Sequence, residues 1–319
     1  MNTAALLQDP ALEWAVRPCP LCGASDFETL ARHDRHRIGL STAGCKVCGL
    51  LQTSPRPSPA GLERFYIRHY RQLYEKVISP SREYVQRFNK QLRLRATANY
   101  LLEALHLPRD GILLDYGCGE GSLFVALRDS GFKGTLHGVE PNTDFARYAA
   151  VEGRAVVEPR LKTSNTYDGI VLNHVLEHLA EPVAVLKALH AQLRPNGFLY
   201  VDVPDPREYR TPNDLHFAHL WHFTPETLEQ MLAAASFVID HIETHRPQNH
   251  PASIRAVARR GEQVIPPLPG ITASKLQAWQ RLRSIDRWAP WWRVQQQFAH
   301  IPPLRAAVRA LRRLARHHE

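Results

Sequence analysis

The sequence predicts an α/β fold, a mostly parallel, doubly wound sheet carrying a small N-terminal metal module, a helical cap and a basic C-terminal helical tail. Three observations predict it. Short apolar runs alternate with helical stretches from residue 112 onward, the pattern that crossover units make when they build a parallel sheet. A glycine-rich loop follows the first of those runs, and two Cys-x-x-Cys pairs stand within the first fifty residues.

With 319 residues, the chain has room for one large domain and accessories. Apolar residues make up 44% and charged residues 22% of it, as in ordinary globular proteins. No apolar run approaches the roughly 18–20 residues that span a bilayer, and Met1 to Trp14 lacks a basic stretch followed by an apolar one. The expected location is therefore cytoplasmic. Net charge is +9, yet from residue 262 onward ten Lys and Arg stand against three acids, so the tail supplies +7 of it. A nearly balanced body lacks the broad basic field of a phosphate reader, and nucleic acid is not the expected partner.

Residues 1–60 form the expected metal module, closed by the Pro-rich stretch Thr53-Ser-Pro-Arg-Pro-Ser-Pro-Ala-Gly61. Residues 61–107 read as a helical cap with few breakers apart from Pro80. Residues 108–262 form the main domain. Its expected strands are 112–116, 135–140, 155–158, 167–173 and 198–203, with two more at 237–243 and 253–259. Helices are expected at 122–130, 143–152 and 182–193, and another after Thr224, which caps it with Pro225 at the first helical position. Residues 263–319 form the tail, set off by Ile265-Pro-Pro-Leu-Pro-Gly270.

Cys19-Pro-Leu-Cys22-Gly and Cys45-Lys-Val-Cys48-Gly can clamp one ion from two sides, and four thiolates complete the tetrahedron that Zn2+ accepts. With no open coordination position, such a zinc is structural. The basic stretch Arg32-His33-Asp34-Arg35-His36-Arg37 between the pairs reads as a solvated segment, with His33 and His36 the minor candidates for ligands.

Leu113-Leu-Asp-Tyr-Gly-Cys-Gly-Glu-Gly121 follows the first strand and opens a helix. Gly117, Gly119 and Gly121 let the backbone turn tightly and approach a ligand closely. Glu140, nineteen residues beyond Gly121 at the end of the second strand, can accept both hydroxyl protons of a ribose. These residues resemble motif I of the class I S-adenosylmethionine-dependent methyltransferases, D-x-G-x-G-x-G, rather than a G-x-G-x-x-G dinucleotide loop. No Tyr-x-x-x-Lys occurs, which disfavours a short-chain dehydrogenase. The resemblance runs through Tyr167-Asp-Gly-Ile-Val-Leu-Asn-His-Val-Leu-Glu-His-Leu179 and Leu193-Arg-Pro-Asn-Gly-Phe-Leu-Tyr-Val-Asp-Val-Pro204 and covers roughly residues 108–260. It implies a Rossmann-like methyltransferase sheet that binds S-adenosyl-L-methionine. Gly117 and Gly119 would contact the methionine part, Glu140 the ribose and Asn173 the methionyl end. Asp115 would support the loop, and Glu158 would meet the adenine.

Joined to the cysteine pairs, the chain resembles methyltransferases with an N-terminal zinc-binding domain, among them NDP-sugar C-methyltransferases. The resemblance implies a sugar nucleotide or glycan as the small-molecule acceptor, methylated on oxygen or carbon. In that family a segment after the fifth strand supplies the base. Leu215-His-Phe-Ala-His-Leu-Trp-His-Phe-Thr224 is the comparable stretch here, and His219 falls at the base position. Ala218 and His216 replace the family's Glu and Tyr, so O-methylation stands beside C-methylation. His216, His174 and Tyr70 are the candidates to orient or assist. Packing under a loop is the competing reading of these histidines. Tyr66, Tyr70 and Tyr74 form a stripe that either packs on the sheet or walls the substrate. His174, Glu177 and His178 resemble an E-x-x-E-H group that binds a divalent cation in ubiquinone-pathway and RNA-end methyltransferases, with His174 in place of the first Glu. An RNA methyltransferase and a non-catalytic cofactor-binding scaffold remain the alternatives. The chain has no Asn-Pro-Pro-Tyr motif of amino methylation. Trp279, Trp288, Trp291 and Trp292 lie among the arginines of the tail, which suggests a layer at the inner membrane surface, while a dimer contact fits the same composition.

Overall fold

Alternation of apolar runs and helices from residue 112 becomes one large sheet. The computed structural model describes residues 9–35, 40–88, 90–162, 164–247, 251–261 and 270–298. The main sheet comprises β4 (Ile112–Tyr116), β5 (Thr135–Val139), β6 (Val156–Glu158), β7 (Tyr167–Asn173), β8 (Leu193–Pro204), β10 (Phe237–His245) and β11 (Ser253–Arg260). Their order is β10-β11-β8-β7-β4-β5-β6. The five strands from β6 to β8 are parallel, while β11 runs antiparallel to β8, and β10 to β11. Chain order reverses direction between β4 and β7, so a crevice opens there at the C-terminal ends of the strands.

Both faces of the central strands are covered, which is why these strands are continuously apolar rather than alternating. Leu113, Leu114, Ile170, Val171, Leu172, Leu199 and Val201 are each at most 1% exposed. Burial of each such side chain contributes up to about 1.5–3 kcal/mol. Helices α4 (Ser122–Asp129), α5 (Thr143–Gly153), α6 (Pro182–Gln192) and α7 (Pro225–Ala233) make the layers. Asn142 caps α5 by accepting from Asp144 and Phe145 N–H, and Thr224 caps α7 in a capping box with Thr227.

Before the sheet comes the helical layer. It runs through α1 (Pro59–Phe65), a π-helical stretch (Tyr66–Glu75), α2 (Arg82–Phe88) and α3 (Lys90–Asn99), with a second π turn at Tyr100–Ala104. The first π-helical stretch arches over the crevice as a cap. The cysteine pairs sit in a second, four-stranded antiparallel sheet, which the sequence did not announce. It consists of β1 (Phe27–Ala31), β2 (Ser41–Cys45), β3 (Leu51–Ser54) and β9 (Trp221–His222). Its fourth strand comes from the far side of β8, pairing Leu51 with His222 and Gln52 with Trp221.

The tail begins as one helix, α8 (Ala273–Phe298). Trp279 departs from the expected surface layer: it is 3% exposed and packs in one cluster with Leu30, Leu51, Leu282 and Ile285. The reason is spatial, since Gly44 lacks the Cβ that would overlap the indole, and Trp279 Nε1 donates to Gly49 O at 3.4 Å. Trp288 and Trp291 stay exposed, at 59% and 51%. His33, weighed as a ligand, instead pairs through Nδ1 with Asp286 of α8 at 2.6 Å. His36 and residues 299–319 lie outside the described residues. No helix among the described residues is long and apolar enough to cross a membrane.

Candidate active site

At the switch point between β4 and β7 the crevice becomes a cavity of about 730 Å³, closed above by Tyr66, Tyr70 and Arg71 of the π-helical cap. The loop after β4 forms its floor. Gly117 (φ 81°) and Gly119 (φ 56°) occupy left-handed backbone that other residues adopt at a cost. A Cβ on Gly117 would stand 2.6 Å from Val175, and one on Gly119 would press on Arg71 Nη2 at 3.4 Å. Gly121, expected in the same cradle, does not line the cavity. Its missing Cβ instead admits Ala149 of α5, whose Cα would be 2.8 Å away, so it is a helix-packing glycine.

Glu140 ends its strand at the cavity wall, 6% exposed. Its Oε1 accepts from Asn142 N–H at 2.9 Å and its Oε2 from Arg71 Nη2 at 3.3 Å. Arg71 also donates to both oxygens of Glu75, at 2.9 and 2.8 Å, and lies 4.0 Å over the Phe145 ring. Two polar atoms of opposite character face the same cavity without partners among the described residues: Asn173 Oδ1 and Arg93 Nη1. Buried polar atoms of this kind cost free energy until something meets them. Glu158, expected at the adenine, points elsewhere. It lines a separate cavity of about 230 Å³ with His137 and binds Lys162 at 2.5 Å, because alternation along β6 turns its side chain away. Arg160 and Leu161 line the main cavity in its stead.

Asp115 also faces this cavity, and burial, followed by the charges of Glu120 and Glu140, pushes its carboxyl up to about 8 from 3.8. The folded chain therefore holds a proton that the unfolded chain releases above about pH 4. The stability tied to that proton is complete below that pH and is lost as pH rises through about 8. Asp115→Asn is expected to flatten the fall of the thermal midpoint between pH 6 and 9, as followed in melts of the ligand-free chain.

The second half of the cavity is lined by imidazoles and phenols. His174, His178, His216 and His219 all reach it, with Tyr66 and Tyr70 opposite. The stripe stacks with ring centroids 4.8 Å (Tyr66–Tyr70) and 5.0 Å (Tyr70–Tyr74) apart, so the tyrosines both pack and wall the site. His222, by contrast, is paired in β9 and contacts Tyr209 Oη at 3.0 Å, which makes it a packing residue.

Glu177, singled out in the sequence with His174 and His178, lies at the centre of the histidines, where His219 joins them. It is 1% exposed, and neither carboxylate oxygen has a hydrogen bond. His174 Nδ1, His178 Nε2 and His219 Nε2 surround its Oε1 at 3.5, 3.8 and 3.9 Å. Burial pushes Glu177 up to about 8 and His178 down to about 4. His219 is pushed well below its ordinary value, first by burial and then by the surrounding imidazoles. Near neutral pH His178 and His219 are thus uncharged, the state a base needs before it acts. His178 Nδ1 lies 2.7 Å from the Ala218 carbonyl, which can only accept, so that nitrogen carries the hydrogen and Nε2 is left bare toward Glu177. Tyr66 Oη also donates to Ala218 O at 3.1 Å, fixing the loop that carries His219. Burial raises the phenol of Tyr70, which therefore stays protonated and suits a donor better than a base.

The cysteines converge in the N-terminal module. Sγ of Cys19 lies 3.5 Å from that of Cys48, and Sγ of Cys22 lies 3.5 Å from that of Cys45, all four within 4.8 Å of one another. None forms a disulfide. A tetrahedron with Zn–S of about 2.3 Å puts sulfurs about 3.8 Å apart, so the set fits a zinc ion. Both knuckles close alike, Gly23 N–H donating to Cys19 O and Gly49 N–H to Cys45 O, at 2.9 and 2.8 Å.

A family model described as a methyltransferase domain matches residues 82–242. Among curated relatives, the ubiquinone biosynthesis O-methyltransferase of Photobacterium profundum is 33% identical over 98 residues, covering 28% of this chain and 41% of that protein. That of Xanthomonas campestris is 27% identical over 112 residues, covering 32% and 46%. The chain thus spans less than half the length of these relatives. Among solved structures, the 1,6-didemethyltoxoflavin-N1-methyltransferase of Burkholderia thailandensis superposes with a TM-score of 0.51 at 19% identity, covering 70% of this chain and 96% of that one. That likeness concerns the fold, and the family match begins in α2 and ends in β10, enclosing the glycine cradle, Glu140 and the histidine cluster. The chain belongs to the methyltransferase-domain family.

Proposed function

We propose that the protein methylates a small-molecule acceptor, a sugar nucleotide or glycan, at an oxygen or carbon held beneath the Tyr66–Glu75 cap, with His219 as the base. The observation that carries this reading is the cluster of His174, His178 and His219 around a buried Glu177, which opens into the same cavity as the glycine cradle. When bound, S-adenosylmethionine supplies an electrophilic methyl group. The chain's residues do the rest. Asn173 Oδ1 and Arg93 Nη1, buried and unpartnered, suit the ammonium and carboxylate of the methionyl end. Glu140 accepts from the ribose hydroxyls in exchange for its bond to Arg71. His219 removes the acceptor proton, and the nearby carboxyl oxygen of Glu177, a group that burial keeps protonated, can accept from the resulting imidazolium. His174 and His216 orient the ring, and the four cysteines hold a structural zinc that shapes the module beside the site.

Glu140→Ala removes up to two charge-assisted hydrogen bonds, each contributing about 1.5–3 kcal/mol. Calorimetry with S-adenosylhomocysteine is expected to show affinity weakened tenfold or more. Unchanged affinity would place the ribose elsewhere. Transfer of labelled methyl to nucleotide sugars, and to none of a matched set of quinol precursors, tests the acceptor class.

A further inference from the structure

Next to the main cavity, on the side of the cysteine module, lies a second cavity of about 440 Å³, within the ~300–1,000 Å³ of ligand pockets. The two share Pro59 and Ala180 as lining residues, so they meet at one wall. Three cations face the second cavity: Arg17, Arg56 and Lys187. None forms an ion pair among the described residues. One carboxylate, the exposed Glu181, lies at its edge.

The arginines are held in place rather than waving in solvent. Arg56 is 6% exposed, donates to Gln52 Oε1 and to Pro18 O at 3.1 Å, and lies 4.5 Å over the Trp221 ring. Arg17 Nε is buried with no hydrogen-bond partner. A buried guanidinium without a counter-charge is costly unless an anion completes it, and its planar fork matches a phosphate. Pro182, Val183 and Ala184, the first turn of α6, form another wall. Pro182 carries no N–H, and the N–H groups of Val183 and Ala184 bring the positive end of the helix dipole to the same place.

We propose that this annex binds the phosphate or diphosphate group of the acceptor, whose methylated part lies in the main cavity. The assignment rests on the reading of the main cavity as the acceptor site. Arg17 and Lys187 supply the direct contacts, and Arg56, locked on Trp221, supplies a fixed charge.

The test is calorimetric, on the full chain as purified. Inorganic pyrophosphate and uridine diphosphate are expected to bind. Arg17→Gln and Lys187→Gln should each weaken that binding about tenfold, the loss of one charge-assisted contact, while Glu181→Gln leaves or strengthens it. S-adenosylhomocysteine affinity should stay unchanged in all three variants, which also reports that they are folded. Vesicles carrying a lipid diphosphate separate the two sources of the group. Binding of uridine diphosphate without vesicle binding assigns a soluble acceptor, and the converse assigns a lipid-linked one. Pyrophosphate that fails to bind, or binds equally to the Arg17→Gln/Lys187→Gln double variant, overturns the annex, and the cations then serve only to offset the thiolates nearby. In that event intact S-adenosylhomocysteine binding leaves the proposed function standing, whereas its loss in the wild-type chain would remove that reading instead.

Discussion

His219→Ala is expected to lower turnover about 10²–10⁴-fold, the usual contribution of a positioned base, while calorimetry finds S-adenosylhomocysteine bound as tightly as before. A hydroxyl or carbon acid gives up its proton reluctantly, so methyl transfer to it needs a neutral base in contact with the acceptor. His219 is kept neutral by burial and by its neighbours, its Nδ1 has no hydrogen bond, and its Nε2 stands 3.9 Å from Glu177. Glu177→Gln keeps the shape and an acceptor oxygen but removes the titratable carboxyl, and should reduce turnover less than His219→Ala does. The nearest donor atoms of Glu177, His178 and His219 lie within 4.8 Å of one another, a spacing that suits either a shared proton or a divalent cation. Chelator treatment separates the two. Turnover that survives it supports the proton cluster, and turnover restored only by added cation assigns these residues to a metal. Full turnover by His219→Ala on an identified acceptor would make His219 a packing residue.

The second large effect is expected at the cysteine centre. Cys45→Ser should reduce zinc from one ion per chain to well below one, and lower the thermal midpoint by at least about 10 °C, given the several kcal/mol that a structural zinc contributes to folding. The damage should spread in one direction. Because β3 pairs with β9 directly after the His216–His219 loop, and Thr53 Oγ1 donates to His219 O at 2.8 Å, a melted module releases the catalytic loop. Turnover should fall together with zinc content while S-adenosylhomocysteine still binds, since the glycine cradle is anchored on β4 and α4 instead. A chain that carries no zinc as purified, without chelator exposure, and yet melts at the same temperature would overturn the centre.

Much of the main sheet was legible because its strands are bounded by their own chemistry. Ile112–Tyr116 and Tyr167–Asn173 fall where the apolar runs placed them, since parallel strands buried on both faces admit little else. Thr224 and Pro225 announced their helix in the same local way. What escaped was settled by tertiary contact. β9 has two residues and no pattern of its own; it becomes a strand only because β3 lies beside it. Gly121 and Gly117 look alike in sequence, yet one faces Ala149 and the other the crevice. Glu158 lies one side-chain alternation from the expected contact. Glu177 was marked by its spacing to His174 and His178, whereas Arg71 gains its importance from burial and from what surrounds it, which no spacing rule records. Trp279 shows the same limit, since a tryptophan among arginines reads alike on a surface and in a core.

The fit of α8 over the cysteine knuckles also bears on the order in which the chain can be completed. Gly49 and Trp279 are joined by a hydrogen bond across 230 residues of sequence, and the fully buried Lys275 lies with its stem against Gly49. On the ribosome both Cys-x-x-Cys pairs emerge early and can take up metal at once. The groove above Gly44 and Gly49 nevertheless stays open until the C-terminal helix leaves the exit tunnel, long after the sheet has been synthesised. The N-terminal module is thus made before the sheet and sealed after it, and nascent chains that stall before residue 273 would display that groove to chaperones and proteases.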